Sequence, residues 1–137
     1  MSDHLVVDSS AAFKWFAPRS ELGRAQALVL LEKHRAQSLT LAAPTLLRLE
    51  VLNGFWKRGA TAADLEDIAN TLDGFRLAWF ELTAALSSAA AHAAAAHRLT
   101  VYDATFVALA LQLDTELVTE DRALLRSGAC RLRALGA

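Results

Sequence analysis

The sequence predicts an α/β fold in which a parallel β-sheet is covered by helices on both faces. Short apolar segments alternate along the chain with longer segments that have helical periodicity or are rich in alanine, which is the order of elements in parallel sheets. Apolar strands of this kind are typical of sheets buried on both sides. The chain has 137 residues, 54% of them hydrophobic, and contains no linker or repeat, so we expect one domain over residues 1–137.

The first strand is predicted close to the start of the chain. Residues 4–7 form an apolar, partly β-branched run, which favours a strand. Asp8 and the two serines after it are a strong helix-start signal, so we expect a helix that ends before Pro18. A second helix is predicted over residues 22–35 because apolar residues recur there at helical spacing.

The middle of the chain predicts one strand followed by two helices. Residues 38–42 alternate in polarity like a strand. A helix is expected over 45–58, with Pro44 at its first position. Another helix is expected over 61–74, and it opens with a capping-box pattern.

The remaining part of the chain repeats the alternation of strands and helices. In order, we expect a strand over 77–82, an alanine-rich helix over 83–99, a helix over 103–113, a strand over 116–119, a short helix over 121–126 and a strand over 130–135.

Composition and charge exclude several classes of protein. The net charge is −1, so a nucleic-acid partner would need local basic residues or a bound cation. The single cysteine, Cys130, excludes an internal disulfide and a cysteine metal cluster and fits a reducing compartment. The longest apolar stretch is too short to cross a bilayer, and no basic and apolar leader opens the chain. We therefore expect a cytoplasmic protein with no membrane partner.

Four acidic residues lie in apolar surroundings where strands or helices are expected to begin or end: Asp8, Glu50, Asp103 and Asp121. Charged carboxylates beside a core are costly unless something compensates them. Asp8 follows the first predicted strand and Asp121 lies just after the fourth, so both are expected at the same edge of the sheet. A divalent cation with oxygen ligands would compensate all four. The structural alternatives are helix caps for the three aspartates and a solvated rim position for Glu50.

Other polar residues are candidates to support these carboxylates. Asn53 follows Glu50 at i+3, where its amide can orient the carboxylate or hold a water molecule. Thr119 shares a side with Asp121 if the segment is extended, and its hydroxyl can bond a carboxylate or simply end the strand. Glu120 is then expected to point elsewhere, to solvent. Ser9 is a further supporting candidate.

Four sequence blocks that carry the acidic residues resemble the PIN-domain family and, within it, the VapC-type toxins of bacterial toxin–antitoxin pairs. The blocks are V-V-D-S-S-A, E-V-L-N, L-T-V-Y-D-A-T-F-V-A-L-A and L-V-T-E-D-R-A-L-L. The resemblance implies a three-layer α/β/α domain with a central parallel sheet of about five strands. It also implies an endoribonuclease that depends on Mg²⁺, or on Mn²⁺, with the acidic quartet as catalytic and metal-binding residues. Thr119 falls on a position that often carries a supporting hydroxyl, whereas position 120 is commonly small and is Glu here.

The implied reaction is hydrolysis of an RNA phosphodiester that leaves 5′-phosphate and 3′-hydroxyl ends. We expect Asp8 and Asp103 to bind the cation directly, and Glu50 and Asp121 to bind it directly or through water. Because an acidic pocket repels RNA, positive side chains should surround it, although ordinary solvated surface charge is the alternative for each. The candidates for this RNA rim are Lys14, Arg19, Lys57, Arg58, Arg98 and Arg122.

The resemblance also implies two protein partners, a VapB-like antitoxin and a second copy of the chain. Aromatic residues crowd the first and third predicted helices, and they either pack in the core or meet such a partner. Two other functions are open alternatives. One is a non-catalytic PIN-like binding domain. The other is an aspartyl-phosphate phosphotransferase, which typically has a second Asp two residues after the first, where this chain has Ser10.

Overall fold

The computed structural model describes residues 3–136, and within them five parallel strands form one sheet with helices on both faces. The strands are β1 (His4–Val7), β2 (Thr40–Pro44), β3 (Ala78–Phe80), β4 (Leu117–Val118) and β5 (Leu132–Arg133). The strand order is β3-β2-β1-β4-β5. The predicted three-layer α/β/α fold with about five parallel strands is confirmed.

Seven α-helices and one 3₁₀ turn connect these strands in the described part of the chain. The helices are α1 (Ser9–Ala12), α2 (Arg24–Arg35), α3 (Leu46–Lys57), α4 (Ala62–Gly74), α5 (Ala84–His97), α6 (Val101–Gln112) and α7 (Arg122–Ser127). The 3₁₀ turn, Phe13–Phe16, continues α1 and completes the helix predicted before Pro18. None of the described helices is long and apolar enough to cross a membrane.

The core lies between the central strands and α6. Every residue of α6 from Ala104 to Ala110 is buried, and the helix contacts β1, β2 and β4. On its other side α6 packs against α5, whose contact face includes the buried Ala90 and Ala93. Small side chains let two helices approach closely, which explains why an alanine-rich segment is stable at this position.

Close packing also brings α3 against the turn that follows the first strand. A Cβ atom at Gly54 would lie 3.3 Å from the ring of Phe13, so only glycine fits there without movement of the ring. Phe13 stacks on Phe55 with ring centroids 4.1 Å apart. This packing holds α3, and with it Glu50, beside the end of β1.

Two of the expected element boundaries are wrong for identifiable reasons. Pro44 is the last residue of β2 and not the first of α3, because the Thr45 N–H continues the pairing with β3 through Phe80 O at 3.0 Å. The helix expected from Asp103 begins two residues earlier, at Val101. The reason is a cap on α6, in which Thr100 Oγ1 accepts from the Asp103 N–H at 3.1 Å.

Candidate active site

Asp8 lies at the carboxyl end of the central strand, at the point where the order of the strands reverses. Its side chain is 3% exposed. Oδ1 caps α1 by accepting from the Ala11 N–H at 3.0 Å and also accepts from the Ser10 hydroxyl at 2.7 Å. Oδ2 accepts from the Thr119 hydroxyl at 2.5 Å. The capping alternative is thus realised for Oδ1. Oδ2 is instead hydrogen-bonded to Thr119, the residue that follows the neighbouring strand β4.

Two hydroxyl groups join the turn after β1 to the turn after β4. Thr119 Oγ1 accepts from the Asp121 N–H at 3.0 Å, in addition to its donation to Asp8. Ser10 Oγ accepts from the Glu120 N–H at 2.8 Å and lies 3.3 Å from Thr119 Oγ1. Because Thr119 is fully buried, this network fixes the position of Asp8 relative to Asp121.

Asp121 is the N-cap of α7, as the structural alternative expected. Its Oδ1 accepts from the Leu124 N–H at 3.0 Å, and the residue is half-buried. Hydrogen bonds to described residues use only Oδ1, so Oδ2 is available to another ligand.

Glu50 lies in α3 beside the buried Val51 and is itself half-buried. Its Oε1 atom is buried and accepts no hydrogen bond from any described residue. Burial raises the pKa of Glu50, the Ser9 hydroxyl lowers it, and the Asp103 and Asp8 carboxylates raise it. A buried carboxylate oxygen without a donor is costly, and a bound cation would remove that cost.

Asp103 lies in the first turn of α6, where its side chain is not used as the N-cap. Burial raises its pKa, Asp121 raises it further, and a hydrogen bond with Thr100 lowers it. Burial also raises the pKa of Asp8 from 3.8 to about 6, with a smaller contribution from Asp103. The four acidic residues are therefore electrostatic neighbours that destabilise each other's charges.

The acidic neighbourhood has no cationic partner of its own in residues 3–136. None of the ion pairs among these residues involves Asp8, Glu50, Asp103 or Asp121. In the same residues, no three acidic, histidine or cysteine side chains converge closely enough to hold a metal ion by themselves. Mg²⁺ does not need such convergence, because it usually takes one or two carboxylates and keeps several water molecules. A divalent cation fits this site for three reasons. Its candidate ligands are all oxygen atoms, the four carboxylates repel one another, and Glu50 Oε1 has no hydrogen-bond donor.

The supporting and rim candidates differ in their surroundings. Asn53 is exposed on α3 and lines the same groove as Glu50 and Lys57. Lys14 is half-buried and forms an ion pair with Glu21 at 3.2 Å, so Glu21 neutralises its charge. Arg58 is exposed and lies over the Phe13 ring, 4.3 Å from its centre. The exposed rim candidates also include Arg19, Lys57, Arg98 and Arg122.

Two features of the site were not recognised from the sequence. The sequence indicates Ser10 only as part of a helix start and as the residue in place of a phosphotransferase aspartate, yet it donates to Asp8 and accepts from the Glu120 N–H. The expectation that Glu120 points to solvent is wrong, because its Oε1 accepts from the Leu135 N–H at 2.7 Å and the residue is half-buried. The D-S-S sequence was the only local signal for Ser10, and none existed for the contact with Leu135.

Comparison with known proteins identifies a family and a relative of this chain. The family described as PIN domain matches residues 5–128. Ribonuclease VapC3 of Pyrobaculum aerophilum is 31% identical over 125 residues, which cover 88% of this chain and 91% of that protein.

Two solved structures show the same fold at low sequence identity. A toxin-antitoxin complex from Klebsiella pneumoniae aligns with a TM-score of 0.69 and 16% identity over 96% of this chain and 97% of that chain. Mycobacterium tuberculosis VapC20, described as a Sarcin-Ricin loop cleaving toxin, aligns with a TM-score of 0.68 and 16% identity over 90% of this chain and 95% of that chain. With the family match over most of its length and a relative at 31% identity, the chain belongs to the PIN domain family.

Proposed function

We propose that this PIN domain is a VapC-type endoribonuclease, a toxin that hydrolyses RNA phosphodiester bonds with Mg²⁺ or Mn²⁺ and is neutralised by a VapB-like antitoxin. The observation that carries the proposal is the group of four acidic residues at the carboxyl edge of the sheet, which pairs with no cation of the described chain. Nucleases of this family generally use a divalent metal ion. The relative that matches over nearly its full length is a ribonuclease by name.

We assign the four acidic residues the roles that were expected from the sequence. Asp8 and Asp103 hold the cation directly, and Glu50 and Asp121 hold it directly or through water. When bound, a divalent cation lowers the pKa of water and stabilises negative charge on the scissile phosphate. Thr119 keeps Asp8 Oδ2 oriented at the carboxyl edge of the sheet through its 2.5 Å hydrogen bond.

Two neighbouring polar residues complete the proposed active site. Ser9 supports Glu50 through a hydroxyl that lowers the Glu50 pKa and favours its charged form. Asn53 lies one turn further along α3, in the groove that Glu50 lines. We assign it the orientation of Glu50 or of a water molecule.

The exposed basic residues are assigned to RNA binding. Arg19, Lys57, Arg58, Arg98 and Arg122 are all exposed, and the chain has no overall positive charge that would replace them. Lys14 contributes less than expected from the sequence because Glu21 pairs with it. We expect cleavage to weaken steeply as salt increases, because each phosphate contact releases counterions from the RNA.

An exposed apolar face supports the two proposed protein partners. Leu49, Trp56, Val101 and Tyr102 are 68%, 60%, 53% and 63% exposed, on α3 and at the start of α6. Three of these side chains, Leu49, Trp56 and Tyr102, line one groove, and exposed apolar surface of this kind marks interaction sites. The face borders the groove that contains Glu50, so a partner bound here would lie beside the acidic residues. The VapB-like antitoxin and a second copy of the chain are the proposed occupants.

The test is RNA cleavage by the purified protein with Mg²⁺ and with EDTA, using labelled single-stranded RNA. We expect cleavage only with the cation, and a loss of about 100-fold or more in Asp103→Asn because a direct ligand loses its negative charge and one of its oxygen atoms. Circular dichroism verifies that the variant is folded. Cleavage by Asp103→Asn at the wild-type rate contradicts the assignment, and RNA binding without any cleavage favours the non-catalytic alternative.

Expression in a bacterium identifies the RNA substrate. Wild type and Asp8→Ala are induced in parallel, and new RNA 5′ ends are mapped. Growth arrest with discrete 5′-phosphate ends, in the wild type alone, is the expected result. Equal arrest by both proteins contradicts a catalytic role for Asp8.

A further inference from the structure

Glu120 lies between Thr119 and Asp121 but does not belong to the acidic neighbourhood. It forms no ion pair within residues 3–136. Its side-chain Oε1 accepts from the Leu135 N–H at 2.7 Å, and its own N–H donates to Ser10 Oγ at 2.8 Å. One residue therefore contacts the end of the chain through its side chain and the candidate active site through its backbone.

These bonds form a continuous path from the C-terminal segment to Asp8. The Leu135 N–H donates to Glu120, the Glu120 N–H donates to Ser10, and the Ser10 hydroxyl donates to Asp8 Oδ1 at 2.7 Å. Hydrogen bonds to an ionised carboxylate are roughly twice as strong as neutral ones. The first and the last hydrogen bond of the path each have a side-chain carboxyl oxygen as the acceptor.

The C-terminal segment is also held by apolar packing. Leu135 is 9% exposed, and its Cδ1 lies 3.5 Å from the position that a Cβ atom at Gly23 would occupy, at the start of α2. The segment therefore packs against the start of α2 and is hydrogen-bonded to the turn after β4. Leu135 contributes its side chain to the first contact and its N–H to the second.

We propose that Glu120 is a positioning residue, which anchors the C-terminal segment to the turn after β4 and thereby fixes Ser10 and Asp8 for catalysis. The proposal rests on the proposed function for its kinetic consequence only. Without the Glu120 side chain, the turn would lose its hydrogen bond to the C-terminal segment, and the Glu120 N–H that donates to Ser10 would be held less firmly in place. Outer residues that orient a ligand typically change activity by about 10- to 100-fold.

The kinetic test uses two pairs of matched variants. Glu120→Ala removes the acceptor and Glu120→Gln keeps a carbonyl oxygen at the same place. Leu135→Pro removes the N–H donor and Leu135→Ala keeps it while removing the apolar side chain. We expect kcat to fall about 10-fold in Glu120→Ala and Leu135→Pro, with KM for RNA unchanged, and Glu120→Gln to stay close to the wild type. The double variant Glu120→Ala/Leu135→Pro should have a kcat no lower than that of either single variant, because both substitutions break the same hydrogen bond.

Several outcomes overturn the proposal. A wild-type kcat in Glu120→Ala overturns it even if the melting temperature of the variant falls, because Glu120 then has only a structural role. An equal loss in Glu120→Gln and Glu120→Ala also does so, because glutamine keeps the acceptor. If Leu135→Pro does not fold, a chain that ends at Ala134 removes the same donor together with the Leu135 side chain, and its kcat should then fall about 10-fold below that of Leu135→Ala.

Amide hydrogen exchange of the metal-free protein gives a result that does not depend on catalysis. We expect faster exchange at the Leu135 and Glu120 amides in Glu120→Ala than in the wild type and in Glu120→Gln. Unchanged exchange at both amides overturns the positioning role. If the wild type cuts no RNA but exchange responds as expected, the proposed function fails while the anchor remains established.

Discussion

Acidic residues at the two edges of the sheet differ in whether a basic side chain pairs with them. At the amino edge, Asp114 pairs with Arg131 at 3.3 Å and Glu116 pairs with Arg133 at 3.8 Å. At the carboxyl edge, Asp8 is almost fully buried and has only hydroxyl and amide partners. The amino edge compensates its acidic charge with arginine, whereas the carboxyl edge does not compensate it with any described cation.

This difference separates acidic residues that belong to the ordinary surface from those that are candidates for function. Exposed ion pairs contribute little, with a median of about 0–1 kcal/mol, so the pairs at the amino edge are ordinary surface chemistry. Buried carboxylates with raised pKa values lower stability at neutral pH, and such groups cluster at functional sites. A divalent cation, bound as the proposed function requires, would offset this cost at the carboxyl edge.

The largest expected effect on stability comes from Asp8→Asn. Burial raises the pKa of Asp8 from 3.8 to about 6, so between these values the native state keeps a proton that the unfolded state has lost. In the metal-free protein, the contribution of Asp8 to the free energy of unfolding should therefore be largest below pH 4. It should decrease by about 3 kcal/mol as the pH rises to about 6. Asparagine carries no such charge, so most of this decrease should disappear.

Urea denaturation in EDTA between pH 4 and pH 7 measures this effect. Glu50 and Asp103 also have raised pKa values, so a smaller decrease in the same direction remains in Asp8→Asn. Mg²⁺ should restore stability to the wild type at pH 7 by preferential binding to the native state. An identical pH dependence in both proteins would contradict the uncompensated burial of Asp8.

Thr119→Val should have an intermediate effect. The substitution keeps the shape of the side chain but leaves Asp8 Oδ2 and the Asp121 N–H without their partner. We expect a loss of about 2 kcal/mol in the free energy of unfolding and a loss of about 10-fold in RNA cleavage. Urea denaturation and cleavage rates measure the two effects.

Thr105→Val is the matched control for this prediction. Thr105 is also buried, but its hydroxyl donates to Val101 O within α6, at 2.8 Å. This variant should cleave RNA at the wild-type rate. Equal losses of cleavage in the two variants would mean that any buried hydroxyl near the site matters, and would remove the special role of Thr119.

The smallest effect is expected at the amino edge, in Asp114→Asn. The side chain of Asp114 is 98% exposed, and its backbone has a φ of 50°, which asparagine tolerates well. Loss of its pair with Arg131 should change the free energy of unfolding by less than about 1 kcal/mol and leave cleavage unchanged. Since Asp8→Asn is the same substitution at the other edge, an equally small change in the free energy of unfolding at pH 7 in both variants would erase the contrast between the edges.

Much of the fold and part of the site were predictable from local patterns. The strand before Asp8 and the capping box at Thr61 are confirmed, because a cap depends on residues only three positions apart. The boundary at Asp103 was missed because Thr100, a second possible cap, lies three residues before it. Pro44 was misplaced because its backbone suits both a helix start and the end of a strand.

The sequence by itself determined the alternation of strands and helices, the helix caps and the four candidate acidic residues, three of them near element ends and Glu50 inside α3. These features depend on periodicity and on neighbours within one turn, which are written directly in the order of residues. Only the tertiary structure decided that Ser10 joins Asp8 to the turn after β4, that Glu120 holds the C-terminal segment and that Lys14 is neutralised by Glu21. Contacts such as that between Ser10 and Thr119, 109 positions apart, depend on how strands are ordered and how side chains pack. No local pattern records either of these.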